Sequence, residues 1–278
     1  MLCLSPPAHA GRGAPDIPSG VSAVDAGRVF RVVCILLFAA SVSATVLICH
    51  AMADMGEVPM AGGWSMSTAW TPLCGGSWAA AIGAFLGMWA MMTLAMMLPS
   101  LTPVLWRLRE NAAEAGDVRP GLFAALAGLA YLLVWTALGL AVFVGGALLL
   151  EAALGWPLLA RSVPLAAGFV VIAAGLFQIS RWKLVLLGHC RMASSRRVGA
   201  VAAIGQGLWL GLSCCASCAG LTVLLLVGGV MDLRTMAVVA LAISAERLAL
   251  AGQRVAPAVG AIMLGAGLVQ LVQALWPF

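Results

Sequence analysis

The chain has 278 residues, a formal net charge of +5, 63% hydrophobic residues and only 9% charged ones. A soluble domain carries roughly a quarter charged residues, so an aqueous globule, a nucleic-acid binder and a disordered chain are all excluded. What remains is an all-α polytopic membrane protein, a transmembrane helix bundle whose first partner is the lipid bilayer.

Residues 1–28 are rich in Pro, Gly, Ser and Ala and read as a disordered cytoplasmic lead. They are not a cleavable signal, because the first apolar segment is a full span. Residues 29–278 read as one transmembrane domain. An apolar run of roughly 18 residues or more can cross a bilayer as a helix. Seven runs qualify, at 31–51, 78–106, 121–150, 163–180, 204–230, 235–252 and 256–276. They are continuous and do not alternate, which excludes a β-barrel. The fourth run is short, and the sixth carries Glu246 and Arg247.

Basic residues orient the bundle. Arg12, Arg28 and Arg31 precede the first run, and Arg107, Arg109 and Arg119 follow the second. Arg181, Lys183, Arg191, Arg196 and Arg197 follow the fourth, and Arg254 follows the sixth. Only Arg161 and Arg234 fall on the other side. The positive-inside rule then places the N-terminus in the cytoplasm and the C-terminus outside.

Four features stand above the apolar background. The first is the run from Met88 to Pro99. On a helix, Met88, Met91, Met92 and Met96 share a face about 140° wide, with Met97 pointing away. Thioethers are soft ligands that select Cu(I), although Met is also a flexible apolar filler. Pro99 frees a carbonyl and predicts a kink. The second is Cys214-Cys215-Ala216-Ser217-Cys218. Cys214 and Cys218 lie one turn apart, roughly 6 Å, which suits a shared soft metal better than an unstrained disulfide. The third is Glu246, an ionisable group at membrane depth and therefore a functional-site candidate; a purely structural Glu–Arg contact is the alternative. Depth links these three, since each lies roughly 15–27 Å into its run at 1.5 Å per residue.

The fourth feature is the outer segment 52–77 with the residues before it. Cys49, His50, Met52, Asp54, Met55, Glu57, Met60 and Met66 form a mixed-ligand set suited to metal entry. Cys49 and Cys74 are alternatively a disulfide pair outside the cytoplasm. Trp64, Trp70 and Trp78 read as interfacial belt residues. On the inner side, His189 and Cys190 read as incidental members of a basic loop. No His-Glu-x-x-His, Gly-x-Ser-x-Gly or Walker motif is present, so nothing points to an enzyme. Of the three histidines only His50 touches a run, at its border, which disfavours a bis-His haem.

Together these residues resemble the DUF2182 family, bacterial integral membrane proteins described as predicted metal-binding. The blocks are Met88-Trp89-x-x-Met92-x-x-Ala95-Met96-Met97-x-Pro99, Lys183 with Cys190-Arg191, Gly211-x-x-Cys214 through Cys218, Gly229-Val230-Met231-Asp232 and Glu246-Arg247. The family's Cys-x-Gly-Cys-Cys-Trp reads here Cys214-Cys215-Ala216-Ser217-Cys218-Ala219, a later Met is Thr222, and its Glu-Lys pair is Glu246-Arg247. The resemblance implies a multi-pass protein of the bacterial inner membrane that binds a metal. Combined with the soft-ligand chemistry, the expectation is a copper ion handled for transport or for delivery to a metal chaperone or metalloenzyme partner. Cys214, Cys218 and Met92 are the expected primary ligands, with Met88 and Met96 in support. Glu246 is expected to neutralise charge or relay a proton, and His50, Met52 and Met55 to collect metal outside. A thiol-redox membrane protein and a metal-free assembly factor are the alternatives.

Overall fold

The computed structural model describes residues 23–53, 56–67, 70, 77–117, 119–191, 199–230, 232–248 and 252–276. Most of the expected N-terminal lead, residues 1–22, lies outside them. Among the described residues the chain forms α1 (Ala23–Ala53), β1 (Glu57–Pro59), β2 (Ser65–Ser67), α2 (Trp78–Glu114), α3 (Pro120–Gly155) and α4 (Pro157–Ile179). It continues with α5 (Arg181–Arg191), α6 (Ala200–Gly228), α7 (Leu233–Leu248) and α8 (Gly252–Leu275). Six of these, α1, α2, α3, α4, α6 and α8, are long and apolar enough to cross a membrane. The remaining expected run, 235–252, is α7, whose 16 residues reach only about 24 Å against a hydrocarbon core of about 30 Å. Arg234, Glu246 and Arg247 cut its apolar content as well.

Local chemistry sets the boundaries. Pro120 and Pro157 open α3 and α4, where proline loses no helical hydrogen bond. Ser77 caps α2 by accepting from the Ala80 amide at 3.2 Å. Pro99 and Pro103 lie inside α2 without ending it. The hydroxyls of Ser100 and Thr102 donate to the carbonyls of Met97 and Leu98 at 2.9 and 2.7 Å, as membrane helices re-satisfy backbone near proline.

Helix directions follow from paired contacts. Trp89 lies against Gly139 and Leu105 against Gly128, so α2 and α3 are antiparallel. Gly207 abuts Ala127 and Gly211 abuts Val134, so α6 runs parallel to α3. Gly168 meets Leu271 and Gly260 meets Ile179, making α4 and α8 antiparallel. A Cβ on Gly260 would sit 2.9 Å from the Gly175 carbonyl oxygen, so this backbone approach needs glycine, in the manner of small-residue interfaces in membranes. Then α7 folds back on α6: Thr235 touches Gly228 at one end, and Glu246 reaches Lys183 at the other.

Two segments read as loops carry structure. The stretch 52–77 holds an antiparallel hairpin with Val58 opposite Met66. Trp64 pins it to α4 by donating to the Ala160 carbonyl at 2.8 Å. Trp70 is not a lipid-interface residue: it is buried and packs on Phe85 and Phe143 at centroid distances of 5.1 and 6.4 Å. Each such aromatic pair adds roughly 0.5–1.5 kcal/mol beyond area burial. Trp78, at the start of α2, is half exposed.

The second segment follows α4. Ser180 ends α4 through its backbone amide and hydroxyl, which both donate to the Phe177 carbonyl at 3.0 and 2.6 Å. Its oxygen also accepts from the Lys183 amide at 3.4 Å and starts α5. The break turns the chain so that the Lys183 side chain points into the bundle. Lys183 consequently leaves the set of inner-loop cations: its side chain is 0% exposed. The apolar residues facing outward, such as Ile35, Leu36, Leu133 and Ile262, form the surface that lipid covers.

Candidate metal centre

Midway along α6, one helix face presents Cys214, Ser217 and Cys218, all buried. Cys214 and Cys218 are one turn apart on α6, and both sulfurs face the same guanidinium. Across from them, Met97 of α2 accepts from the Cys214 thiol, Sγ to Sδ 3.9 Å. Tyr131 of α3 places its hydroxyl 2.9 Å from Cys214 Sγ. From α7, Arg247 Nη2 lies 2.9 Å from Cys214 Sγ, 3.0 Å from Ser217 Oγ and 3.4 Å from Cys218 Sγ. Two thiols thus meet one guanidinium, and a thioether and a phenol from two further long helices meet the Cys214 sulfur.

A charged pair lies behind this cluster. Lys183 Nζ is 2.8 Å from Glu246 Oε2, both groups essentially out of solvent. Lys183 also donates to the Ser217 carbonyl, and Gln178 Nε2 donates to Glu246 Oε1. Both carboxylate oxygens of Glu246 therefore have donors of their own. The Ser217 carbonyl ties the pair to the cysteine face, so α4, α5, α6 and α7 are joined at one depth. Removing one partner from such a pair costs about 3–5 kcal/mol, because the other charge stays buried.

The expected site residues divide. Cys214, Cys218 and Glu246 come together. Met88, Met92 and Met96 are buried in the same core, while Met91 of the same stripe is exposed. Met97, set apart by helical phase, is the methionine that touches Cys214. Both faces of α2 are covered at this height, so the width of the stripe does not mark the ligand face. Arg247 reaches the thiols, while Lys183 forms an ion pair with the Glu246 carboxylate. Tyr131, Lys183 and Gln178 were absent from the expected set. Lys183 alone carried a signal, as part of the family block.

His50 is exposed near the end of α1, and no contact brings it to the cysteines. The Met52 side chain, Met55 and Cys74 lie outside the described residues, as do the side chains of His189 and Cys190. Among the described residues, no group of three or more His, Cys, Asp or Glu side chains is placed to hold a metal. The donor set at the centre is instead two cysteines with methionine, which suits a soft cation and leaves a zinc-type tetrahedral set incomplete.

Two further atoms lie close by in sequence. Thr93 is one turn from Met97, and Trp135 one turn from Tyr131. Their Oγ1 and Nε1 are buried without a hydrogen-bond partner. The helix directions set both at the height of Cys218.

Residues 86–270 match a family model described as PpoB2: Copper chaperone. The match spans well over half of the chain and includes every residue of the centre. The chain belongs to the PpoB2 copper chaperone family. No curated protein and no solved structure matches it. Membership supports a copper-handling role, and a copper-handling chain with six apolar helices of spanning length is a multi-pass membrane protein by length and composition.

Proposed function

We propose that this PpoB2 family member holds one Cu(I) inside the membrane and passes it to a protein partner. Cys214, Cys218 and Met97 would be its ligands. The observation that carries this reading is the convergence of both thiols on one guanidinium, with the Met97 sulfur 3.9 Å from Cys214. Thiolate and thioether donors favour Cu(I) over harder ions. Lys183 and Gln178 occupy Glu246, so its role is to balance charge and not to ligate. Met88, Met92 and Met96 supply a thioether-lined approach from the outer side. His50, with Met52 and Met55, collects the ion there.

In this reading the protein lies in the bacterial inner membrane. Gly27 lies against Trp106, which brings Arg28 and Arg31 to the same end as Arg107 and Arg109. That end is cytoplasmic by the positive-inside rule, and the C-terminus is outside. The short α7 is the seventh passage, its charges held by α4, α5 and α6. Residues 29–278 act as one domain.

The test is metal content by mass spectrometry on detergent-purified protein produced with added copper. One copper per chain is expected, falling to background in Cys214→Ser/Cys218→Ser while membrane insertion is retained. Equal copper in both proteins, or none in either, refutes the ligand assignment. A second reading, thiol redox chemistry, draws on the placement of Cys214 and Cys218 one turn apart against one guanidinium. It predicts no bound metal and a mobility shift on alkylation that depends on prior reduction.

A further inference from the structure

The charges around the thiols are few enough to count. Among the described residues, Lys183 and Glu246 are the only charged side chains in the buried set. Arg247 is half-buried and directed at the sulfurs. Lys183 and Arg247 contribute two positive charges, and Glu246 contributes one negative charge. A bound metal requires its cysteine ligands as thiolates, which adds two more negative charges. The sum before the metal is minus one. A singly charged ion makes the cluster neutral, whereas a doubly charged ion leaves one uncompensated charge at membrane depth, where charge is costly.

We propose that Arg247 and Lys183 are specificity-determining residues: they tune the dithiolate of Cys214 and Cys218 to accept a monovalent soft cation and reject a divalent one. This rests on the reading of the two cysteines as ligands. In a neutral environment the same pair of thiolates binds zinc or cadmium readily, since divalent ions match their charge. Two nearby cations remove that advantage. Arg247 acts more strongly, because its Nη2 is 2.9 Å from one sulfur and 3.4 Å from the other. Lys183 is one step removed, reaching the cysteine face through the Ser217 carbonyl. Since Glu246 cancels Lys183, the excess positive charge that disfavours a divalent ion is that of Arg247.

Removing Arg247 should therefore strengthen binding of every cation, and that of a divalent ion twice as much on a free-energy scale. A unit charge about 5 Å away in an effective dielectric near 20 predicts a shift of about a hundredfold in the divalent-to-monovalent affinity ratio. The double variant Lys183→Gln/Glu246→Gln removes one charge of each sign and keeps the sum, so the ratio should hold.

The experiment is equilibrium competition against a chromophoric chelator, using Cu(I), Ag(I), Zn(II) and Cd(II) on the purified full chain. The wild type, Arg247→Gln, Arg247→Lys and Lys183→Gln/Glu246→Gln are compared. The expected result is preference for Cu(I) and Ag(I) in the wild type, Arg247→Lys and the double variant. In Arg247→Gln the Cd(II)-to-Ag(I) affinity ratio rises about a hundredfold. If Arg247→Gln does not fold, Arg247→Leu, which keeps the packing of the apolar stem, also lowers the sum by one charge and must raise the ratio. Monovalent binding with an unchanged ratio in the charge-removal variants overturns the charge-balance inference and leaves the cysteine ligands standing. So does a double variant whose ratio moves as far as that of Arg247→Gln. A wild type that binds none of the four ions overturns the metal reading itself.

Discussion

Exchanging Lys183 for Met should destabilise the bundle more than any surface change, and exchanging Glu246 for Gln as well should restore much of the loss. The two groups are 2.8 Å apart with almost no solvent contact. At that separation the Coulomb attraction is about 6 kcal/mol for an effective dielectric near 20. Desolvation of the two ions takes back a large part of it, so the pair's net contribution is small. Breaking the pair is another matter. Lys183→Met leaves the Glu246 carboxylate, to which Gln178 still donates, without its buried counter-charge, at a cost of about 3–5 kcal/mol. At about 2–4 °C per kcal/mol for a chain of this size, the melting temperature in detergent should fall by roughly 6–20 °C. The double variant Lys183→Met/Glu246→Gln removes both charges and should recover more than half of that fall. Thermal unfolding followed by thiol accessibility or tryptophan fluorescence reads the cycle. Additive losses in the double variant would refute the argument, because independent sites add and a coupled pair does not.

Further outcomes follow from other contacts. Met97→Leu keeps volume and should leave folding within about 1.5 kcal/mol, yet weaken Cu(I) binding by roughly tenfold, about 1.4 kcal/mol; Met91→Leu, on the exposed side of the same helix, should leave chelator competition unchanged. Gly260→Val drives a side chain into Ile179 Cγ1, 2.6 Å from its ideal Cβ, and should lower the detergent melting temperature through an overpacking cost of about 1–3 kcal/mol. Asp232→Ala removes the acceptor of the Arg234 and Thr235 amides, each 3.1 Å away, and should cost about 1 kcal/mol in equilibrium unfolding. The Thr235 hydroxyl and the Arg234 amide hold the Asp232 carboxyl below its ordinary range. Its contribution should be complete above the unfolded value of about 3.9 and fade as pH falls through the lower folded value; a cap contribution that is lost on raising the pH would contradict this.

The sequence was informative where one physical force dominated. Long apolar runs located α1, α2, α3, α4, α6 and α8, because nothing but lipid or a large core accepts such segments. It was less informative where polar groups were satisfied inside the bundle. Lys183 looked like a loop cation because Ser180 interrupts the apolar run, and in a sequence a break between two helices is indistinguishable from a helix end. Met97 was set aside by helical phase, a rule that presumes one buried face, whereas α2 is covered by α3 on one side and α7 on another. Cys214, Cys218 and Glu246 were legible because thiols in close succession and a membrane-depth carboxylate are rare without a reason. Arg247 was visible only as the neighbour of Glu246, since adjacency in sequence says little about which residues share a helix face. Tyr131 gave no sequence signal at all.

The charged pair also constrains how the chain is made. Gln178 lies 68 positions ahead of Glu246, and Lys183 follows Gln178 closely. At synthesis rates of roughly 5–20 residues per second, the amine waits roughly 3–13 s for its carboxylate. During that interval α5 has an uncompensated cation and no α7 to receive it, so it cannot settle at its final depth. The C-terminal α7–α8 segment therefore closes the structure: it delivers the counter-charge that lets the earlier helices dock and the guanidinium that the thiols meet. A nascent chain halted at the end of α6 would contain both cysteines and Met97 but not the environment that makes them a centre.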